Sequence, residues 1–248
     1  MTLTDFFKEN NKVALAFSGG VDSAYLLYAA INTGATIRAY YVKTQFQPEF
    51  EYEDALRLAE ELGADICVIN MDVLKDEVVK SNPQNRCYYC KKRIFSAIVK
   101  KAAEDGFAVI LDGTNASDDA DDRPGMKALK ELSVKSPLRE CGLTKDEIRS
   151  LSKKAGLFTW NKPAYACLAT RIPWGEEITE EKLSNTEVAE GYLSSLGFSD
   201  FRVRYMKGIA KIQIREDDME LMMKYRKEIV SELKKNYSGV MLDMEVRG

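Results

Sequence analysis

Four short runs rich in β-branched and aromatic residues, "VALAF" at 13–17, "IRAYYV" at 37–42, "DICVIN" at 65–70 and "FAVILDG" at 107–113, alternate with longer stretches of helical periodicity. No other feature constrains the fold as strongly. The intervening stretches "SAYLLYAAINTG", "EYEDALRLAEELG" and "CKKRIFSAIVKKAAEDG" each close on a glycine, which adopts a left-handed C-cap without steric cost. Strand, helix, strand, helix implies a parallel sheet covered on both faces, so the expected class is α/β with a doubly wound sheet. From 116 to about 174 the pattern is irregular, with only one clear helix, "TKDEIRSLSKKAG", opened by Thr144 with Glu147 in the capping-box position. Loops over the carboxyl edge of the sheet are expected there.

After "RIPWGEEIT" the pattern changes. A helix over "EEKLSNTEVAEGYLSSLG", two alternating strands around Lys207-Gly208, a helix over "DDMELMMKYRKEIVSELKKN" and a last strand in "GVMLDME" form an α-β-β-α-β unit. This predicts a smaller C-terminal α+β domain with an antiparallel sheet. The expected boundary lies near Gly175, giving domains 1–174 and 175–248.

With 248 residues and no apolar run of membrane-spanning length, the expectation is a soluble cytoplasmic protein with no membrane partner. Five cysteines at irregular spacings argue for reduced thiols rather than a disulfide framework. A net charge of -3 argues against a nucleic-acid partner. Histidine is absent, which excludes Ser-His-Asp and Cys-His hydrolysis and imidazole-ligated zinc.

The first strand runs into "FSGGVDS". A glycine turn opening a helix presents backbone N–H groups and a positive dipole end beyond the carboxyl edge of a parallel sheet, which suits a phosphate. The G-x-x-x-x-G-K-[ST] and G-x-G-x-x-G patterns are both absent. "SGGVDS" instead resembles the pyrophosphate loop of the ATP pyrophosphatase superfamily, whose adenine nucleotide alpha hydrolase-like fold the strand pattern matches. The resemblance implies cleavage of ATP between the α- and β-phosphates, with Ser18, Gly19, Gly20 and Ser23 at the pyrophosphate end. Asp22 would assist through Mg²⁺. "LDGTNASD" then forms a second wall of the ATP site, through Gly113, Thr114, Asn115 and Asp118.

Among the cysteines, Cys67 lies in an apolar strand and reads as core. Cys141 precedes a helix cap and is open to an exposed or a structural role. Cys87 and Cys90 form a C-x-x-C that fits a redox pair, half a zinc site or an incidental helix start; a four-ligand zinc site is not expected without a second pair or a histidine. Cys167 sits in the proline-bounded loop "KPAYACLATRIPWG" four residues before Arg171. A nearby guanidinium favours the reactive thiolate, while a buried loop cysteine without a role is the alternative. Arg202 and Arg204 alternate on one strand and project from one face, so they can share a phosphate or stand as solvated charges.

The set "FSGGVDS", "NRCYYCKK", "LDGTNASDD…RPGMKAL", "VKSPL", "GLTKDEIR" and "KPAYACLATRIPWG" followed by "FRVR" resembles the LarE family over nearly the whole chain. That resemblance implies a sulfurtransferase converting carboxylates of pyridinium-3,5-biscarboxylic acid mononucleotide to thiocarboxylates for a nickel-pincer nucleotide. By the resemblance, Cys167 is the catalytic sulfur donor, consumed to dehydroalanine. Other members hold an iron-sulfur cluster on three cysteines around this loop; here Cys167 stands alone in it, which argues for the sacrificial type. Arg202 and Arg204 would bind the substrate phosphate, Arg171 a substrate carboxylate, and Glu190 and Gln213 would line the substrate site. Gln213 departs from the family pattern, where an acid is usual. A homo-oligomer, of hexamer type, is implied as well. The competing expectations are an amide-forming ATP pyrophosphatase, a tRNA thiolase and a non-enzymatic ATP sensor.

Overall fold

The computed structural model describes residues 1–118 and 124–247. Asp119 and Arg123 of the quoted motif lie outside the described residues. The chain divides into two compact units, Met1–Val73 with Asn85–Ala164, and Leu74–Gln84 with Tyr165–Gly248.

In the first unit a capped helix α1 (Leu3–Glu9) leads to strand β1 (Lys12–Ala16), helix α2 (Val21–Asn32), β2 (Thr36–Lys43), α3 (Glu49–Glu61) and β3 (Asp65–Asn70). These strands pair in parallel, and each of the two following helices ends at a glycine with positive φ, Gly34 and Gly63. Beyond the second unit's short α4 (Glu77–Lys80) come α5 (Arg86–Glu104), β4 (Val109–Leu111), α6 (Pro124–Glu131), α7 (Pro137–Glu140) and α8 (Lys145–Lys154). The sheet order is β3-β2-β1-β4. The first crossovers run away from β1 on one side and β4 docks on the other, so the strand order reverses between β1 and β4. The crevice for a ligand opens there.

Neighbouring β1 side chains point into different cores, as a sheet covered on both faces requires. Val13 and Leu15 join α2 and α3 residues such as Leu26 and Leu58, while Ala14 faces Tyr40, Ile98 and Phe107. Full burial of a side chain such as Leu15 stabilises the fold by about 1.5–3 kcal/mol.

The second unit contains α9 (Glu180–Ser195), β5 (Arg202–Met206), β6 (Ile209–Gln213), α10 (Met219–Lys224), α11 (Arg226–Leu233) and β7 (Gly239–Leu242). Strands β5 and β6 form an antiparallel hairpin, but β7 runs parallel to β6. The expected antiparallel sheet is therefore mixed. The connection from β6 to β7 is a helical crossover, which returns the chain in the same direction. Val203, Ala210 and Ile212 pack with Leu193, Ile229 and Leu233 in one core.

Three further boundaries differ from the sequence expectation. Helices α6 and α7 add to the one helix expected in the irregular stretch, and in α6 Met126 and Leu129 bury against Phe95. The long C-terminal helix is broken at Tyr225, whose ψ of 11° is not helical. The long segment of the second unit begins at Tyr165, so the Cys167 loop from Tyr165 onward belongs to it and the boundary expected near Gly175 falls inside that segment. Among the described residues no helix is long and apolar enough to cross a membrane.

Candidate functional site

Two clusters carry the residues singled out from the sequence, one in each unit. In the first unit the loop after β1 and the loop after β4 meet where the strand order reverses. Gly19 has φ +71°, and a Cβ there would lie 2.9 Å from that of Ala55, so α3 and the loop approach as closely as they do only with glycine. The loop is organised by its own serines. Ser23 Oγ lies 3.1 Å from Ser18 Oγ, accepts from Ser18 N at 3.3 Å and donates to the Gly20 carbonyl at 3.2 Å. Ser23 is thus buried as the brace of the turn, while Gly20 opens α2 with no side-chain cap. Uncapped first-turn amides with a dipole end behind them fit an anionic phosphate.

The second wall is closely built. A Cβ at Gly113 would lie 3.1 Å from Ser23 N, so glycine lets the β4 loop touch the start of α2. Asn115 is buried and donates from Nδ2 to Asp22 Oδ1 at 3.3 Å. Its own loop is pinned by Asp118, which accepts from Asn115 N at 3.0 Å. Thr114 donates its hydroxyl to buried Asp112, which also accepts from Ser136 Oγ at 2.6 Å.

Sequence reasoning missed Lys145, whose Nζ lies 2.6 Å from Asp22 Oδ2. Thr144 caps α8 and makes Lys145 its first residue. A cation at a helix N-terminus opposes the macrodipole, and that misplacement is the signal that could have drawn attention to it. Lys145 supplies, from a distant helix, the positive charge that "SGGVDS" lacks. Mg²⁺ usually takes one or two carboxylates and completes its shell with phosphates and water, and Asp22 fits that pattern. Among the described residues no three His, Cys, Asp or Glu side chains gather as a metal-holding group.

In the second unit Cys167 caps a single 3-10 turn, Leu168–Arg171. Its thiol is half-buried and not in a disulfide. The Cys167 carbonyl accepts from Thr170 N at 3.0 Å, Thr170 Oγ1 at 2.8 Å and Arg171 Nη1 at 3.3 Å. The Arg171 side chain is only 1% exposed. Its Nε and Nη2 grip Glu190 at 2.9 and 3.1 Å, its Nη1 donates to the Ala166 carbonyl at 2.6 Å, and its guanidinium lies over the Tyr165 ring.

Arg171, expected to neutralise a substrate carboxylate, has its guanidinium buried against Glu190, where it also holds the Cys167 turn. Glu190 is likewise a buried hub, accepting also from Val203 N at 2.9 Å and from Tyr165 Oη. Burial and the Glu190 charge push the Tyr165 hydroxyl far above its ordinary range. On the far side of the turn Asn82 donates to the Ile172 and Pro173 carbonyls at 3.2 and 2.8 Å.

Arg202 and Arg204 lie on one face of β5, as expected. Arg204 donates to Gln213 Oε1 at 2.5 Å and to the Thr170 carbonyl at 2.9 Å, and Gln213 donates onward to Asp243 at 2.7 Å. Burial, followed by the positive charges of Arg171 and Arg247, pushes the affinities of Arg202 and Arg204 for their protons below the ordinary guanidinium value.

Cys67 and Cys141 pack against the cores, and burial pushes the Cys141 thiol up. Cys87 and Cys90 lie in the first turns of α5, and Arg86 Nη2 stands 3.9 Å from Cys87 Sγ.

No family model matches the chain. It is similar, at 36% identity over 217 residues, to the pyridinium-3,5-bisthiocarboxylic acid mononucleotide synthase of Lactiplantibacillus plantarum, covering 87% of this chain and 79% of that protein. It is 37% identical over 221 residues to an uncharacterised protein of Synechocystis, covering 88% of this chain and 82% of that one. A tRNA-specific 2-thiouridylase MnmA of Pseudothermotoga lettingae is 28% identical over 246 residues, covering 82% of this chain and 70% of that enzyme.

Proposed function

Because the chain belongs to the LarE family of pyridinium-3,5-bisthiocarboxylic acid mononucleotide synthases, we propose that it is an ATP-dependent sulfur transferase that makes a pyridinium thiocarboxylate for a nickel-pincer nucleotide. The single observation that carries this reading is the Cys167 turn, a half-buried reduced thiol on a backbone tied through Arg171 to Glu190. A nucleophile held in one geometry gains rate because the cost of orienting it has been met in folding.

In this reading the loop from Ser18 to Ser23 receives the phosphates of ATP, with Lys145 and the first-turn amides of α2 meeting their charge and Asp22 serving Mg²⁺. A substrate carboxylate oxygen attacks the α-phosphorus and pyrophosphate leaves. The Cys167 thiolate then attacks the acyl carbon, and AMP leaves as a thioester forms. Removal of the Cys167 Cα proton sends that electron pair into a Cα=Cβ bond as the Cβ–S bond breaks. The products are a thiocarboxylate on the substrate and dehydroalanine at position 167. Arg202 and Arg204 hold the substrate phosphate, and the protein works as a homo-oligomer without nucleic-acid or membrane partners.

Intact-mass measurement before and after incubation with Mg-ATP and pyridinium-3,5-biscarboxylic acid mononucleotide tests this, with peptide mapping across Cys167. The expected result is loss of one H₂S from Cys167 alone. Release of pyrophosphate with Cys167 unchanged sinks the sacrificial mechanism.

A further inference from the structure

We propose that Asn82 is a positioning residue for sulfur transfer: its side chain fastens the exit of the Cys167 turn and so holds the thiol in the geometry from which it attacks. This rests on the role given above to Cys167 and adds to it a residue from a distant segment of the chain.

The stretch Leu74–Gln84 belongs to the second unit, although the chain returns to the first at Asn85. It runs beside the residues that leave the Cys167 turn: Ile178 N donates to the Lys80 carbonyl and Gly175 N to the Asn82 carbonyl, each at 2.8 Å. At the surface Lys80 Nζ lies 2.7 Å from Glu177 Oε1, an exposed pair of small worth. The interior contact is Asn82, which is fully buried. Its Nδ2 donates to the Ile172 carbonyl at 3.2 Å and to the Pro173 carbonyl at 2.8 Å. A side-chain amide nitrogen carries two hydrogens, and two consecutive carbonyls take both. An ionised aspartate has the same shape and no hydrogen to give.

The backbone of Asn82 is unusual as well. Its φ of 54° lies in the left-handed region, where asparagine is one of the few residues other than glycine to be met. Pro83 follows and disfavours the right-handed helical alternative. A residue persists in such a conformation where its surroundings over-determine it, and the contacts to Ile172, Pro173 and Gly175 do so. Ile172 directly follows Arg171, whose guanidinium grips the Ala166 and Cys167 carbonyls. The turn that presents Cys167 is thus held at its entry by Arg171 and at its exit by Asn82. A turn free at one end samples orientations from which the thiol cannot attack, and that costs rate.

Two substitutions separate side chain from backbone. Glycine takes a left-handed φ without strain and lacks the amide, whereas alanine lacks the amide and is strained there. The readouts, all on the full chain, are pyrophosphate exchange into ATP, single-turnover thiocarboxylate formation with mass loss at Cys167, and amide hydrogen exchange across 167–175. Asn82→Gly is expected to keep pyrophosphate exchange within a few-fold of wild type while thiocarboxylate formation slows about tenfold to a hundredfold and hydrogen exchange across the turn quickens. Asn82→Asp is expected to match it. If Asn82→Gly forms thiocarboxylate as fast as wild type while Asn82→Ala is slow, position 82 acts through its backbone alone and the proposal falls. Equal losses of pyrophosphate exchange and thiocarboxylate in Asn82→Gly make the residue merely structural and also overturn it. If wild type loses no sulfur from Cys167, the donor reading fails and takes the positioning role with it, whereas a failure confined to the Asn82 variants leaves that reading intact.

Discussion

Arg171 is among the largest fully buried side chains of the described residues, and it carries a charge. A buried guanidinium is tolerable only with a partner, and Glu190 is that partner, itself 4% exposed. Removing one member of such a pair strands the other. Glu190→Leu is therefore expected to destabilise the second unit by about 3–5 kcal/mol, read from its urea unfolding transition. Arg171→Met combined with Glu190→Leu is expected to cost less than Glu190→Leu alone, because no unpaired charge then remains; a double variant less stable than the single one contradicts this account. Stability is only part of what the pair contributes. The same guanidinium donates to the Ala166 and Cys167 carbonyls, so the double variant is expected to fold and yet lose thiocarboxylate formation as the turn loosens.

The hairpin of β5 and β6 places both positive-φ residues of its turn where the sequence has Lys207 and Gly208, at φ 48° and 85°. A two-residue turn of this hand matches the twist of the strands it joins, and Asn suits its first position better than Lys. Lys207→Asn is expected to stabilise the second unit by up to about 1 kcal/mol and Lys207→Val to destabilise it by about 1–2 kcal/mol, measured as shifts in the same transition. Equal midpoints for the two variants rule out a conformational origin. Such local signals made most elements legible. Apolar runs gave β1 to β4, the Thr144 capping box gave α8, and glycines with φ of 76°, 60° and 80° closed α2, α3 and α5 where expected. What the sequence hid depends on long-range partners. Arg86 starts α5 before the C-x-x-C because its side chain is buried near the ring of Phe46, and no periodicity announces that. The parallel pairing of β7 is likewise decided by the crossover between its ends. In the candidate site, the glycine motif singled out the loop residues, and Cys167 was singled out by the family resemblance, local sequence leaving it open. The partners that fix their roles, Lys145 for Asp22 and Glu190 for Arg171, lie far away in sequence.

Across the whole molecule the residues assigned to ATP and those assigned to sulfur transfer fall in different compact units. Ser18 to Ser23, Gly113 to Asp118 and Lys145 belong to the first; Cys167, Arg202 and Arg204 belong to the second. The bonds that shape the phosphate cradle, from Ser23 to Ser18 and Gly20 and from Asp22 to Asn115 and Lys145, all lie within the first unit. Truncating the thiol therefore leaves that cradle intact. Cys167→Ala is expected to keep substrate-dependent exchange of labelled pyrophosphate into ATP within a few-fold of wild type, because activation of the carboxylate precedes any use of sulfur. It forms no thiocarboxylate and shows no change in mass. Gly19→Ala is expected to do the reverse of part of this. A methyl group at a left-handed position 2.9 Å from Ala55 distorts the cradle, so pyrophosphate exchange falls while nucleotide binding at the β5 arginines is retained. Loss of exchange in Cys167→Ala would mean that the thiol takes part in activating the carboxylate, and the order of steps proposed for the enzyme would have to be reversed.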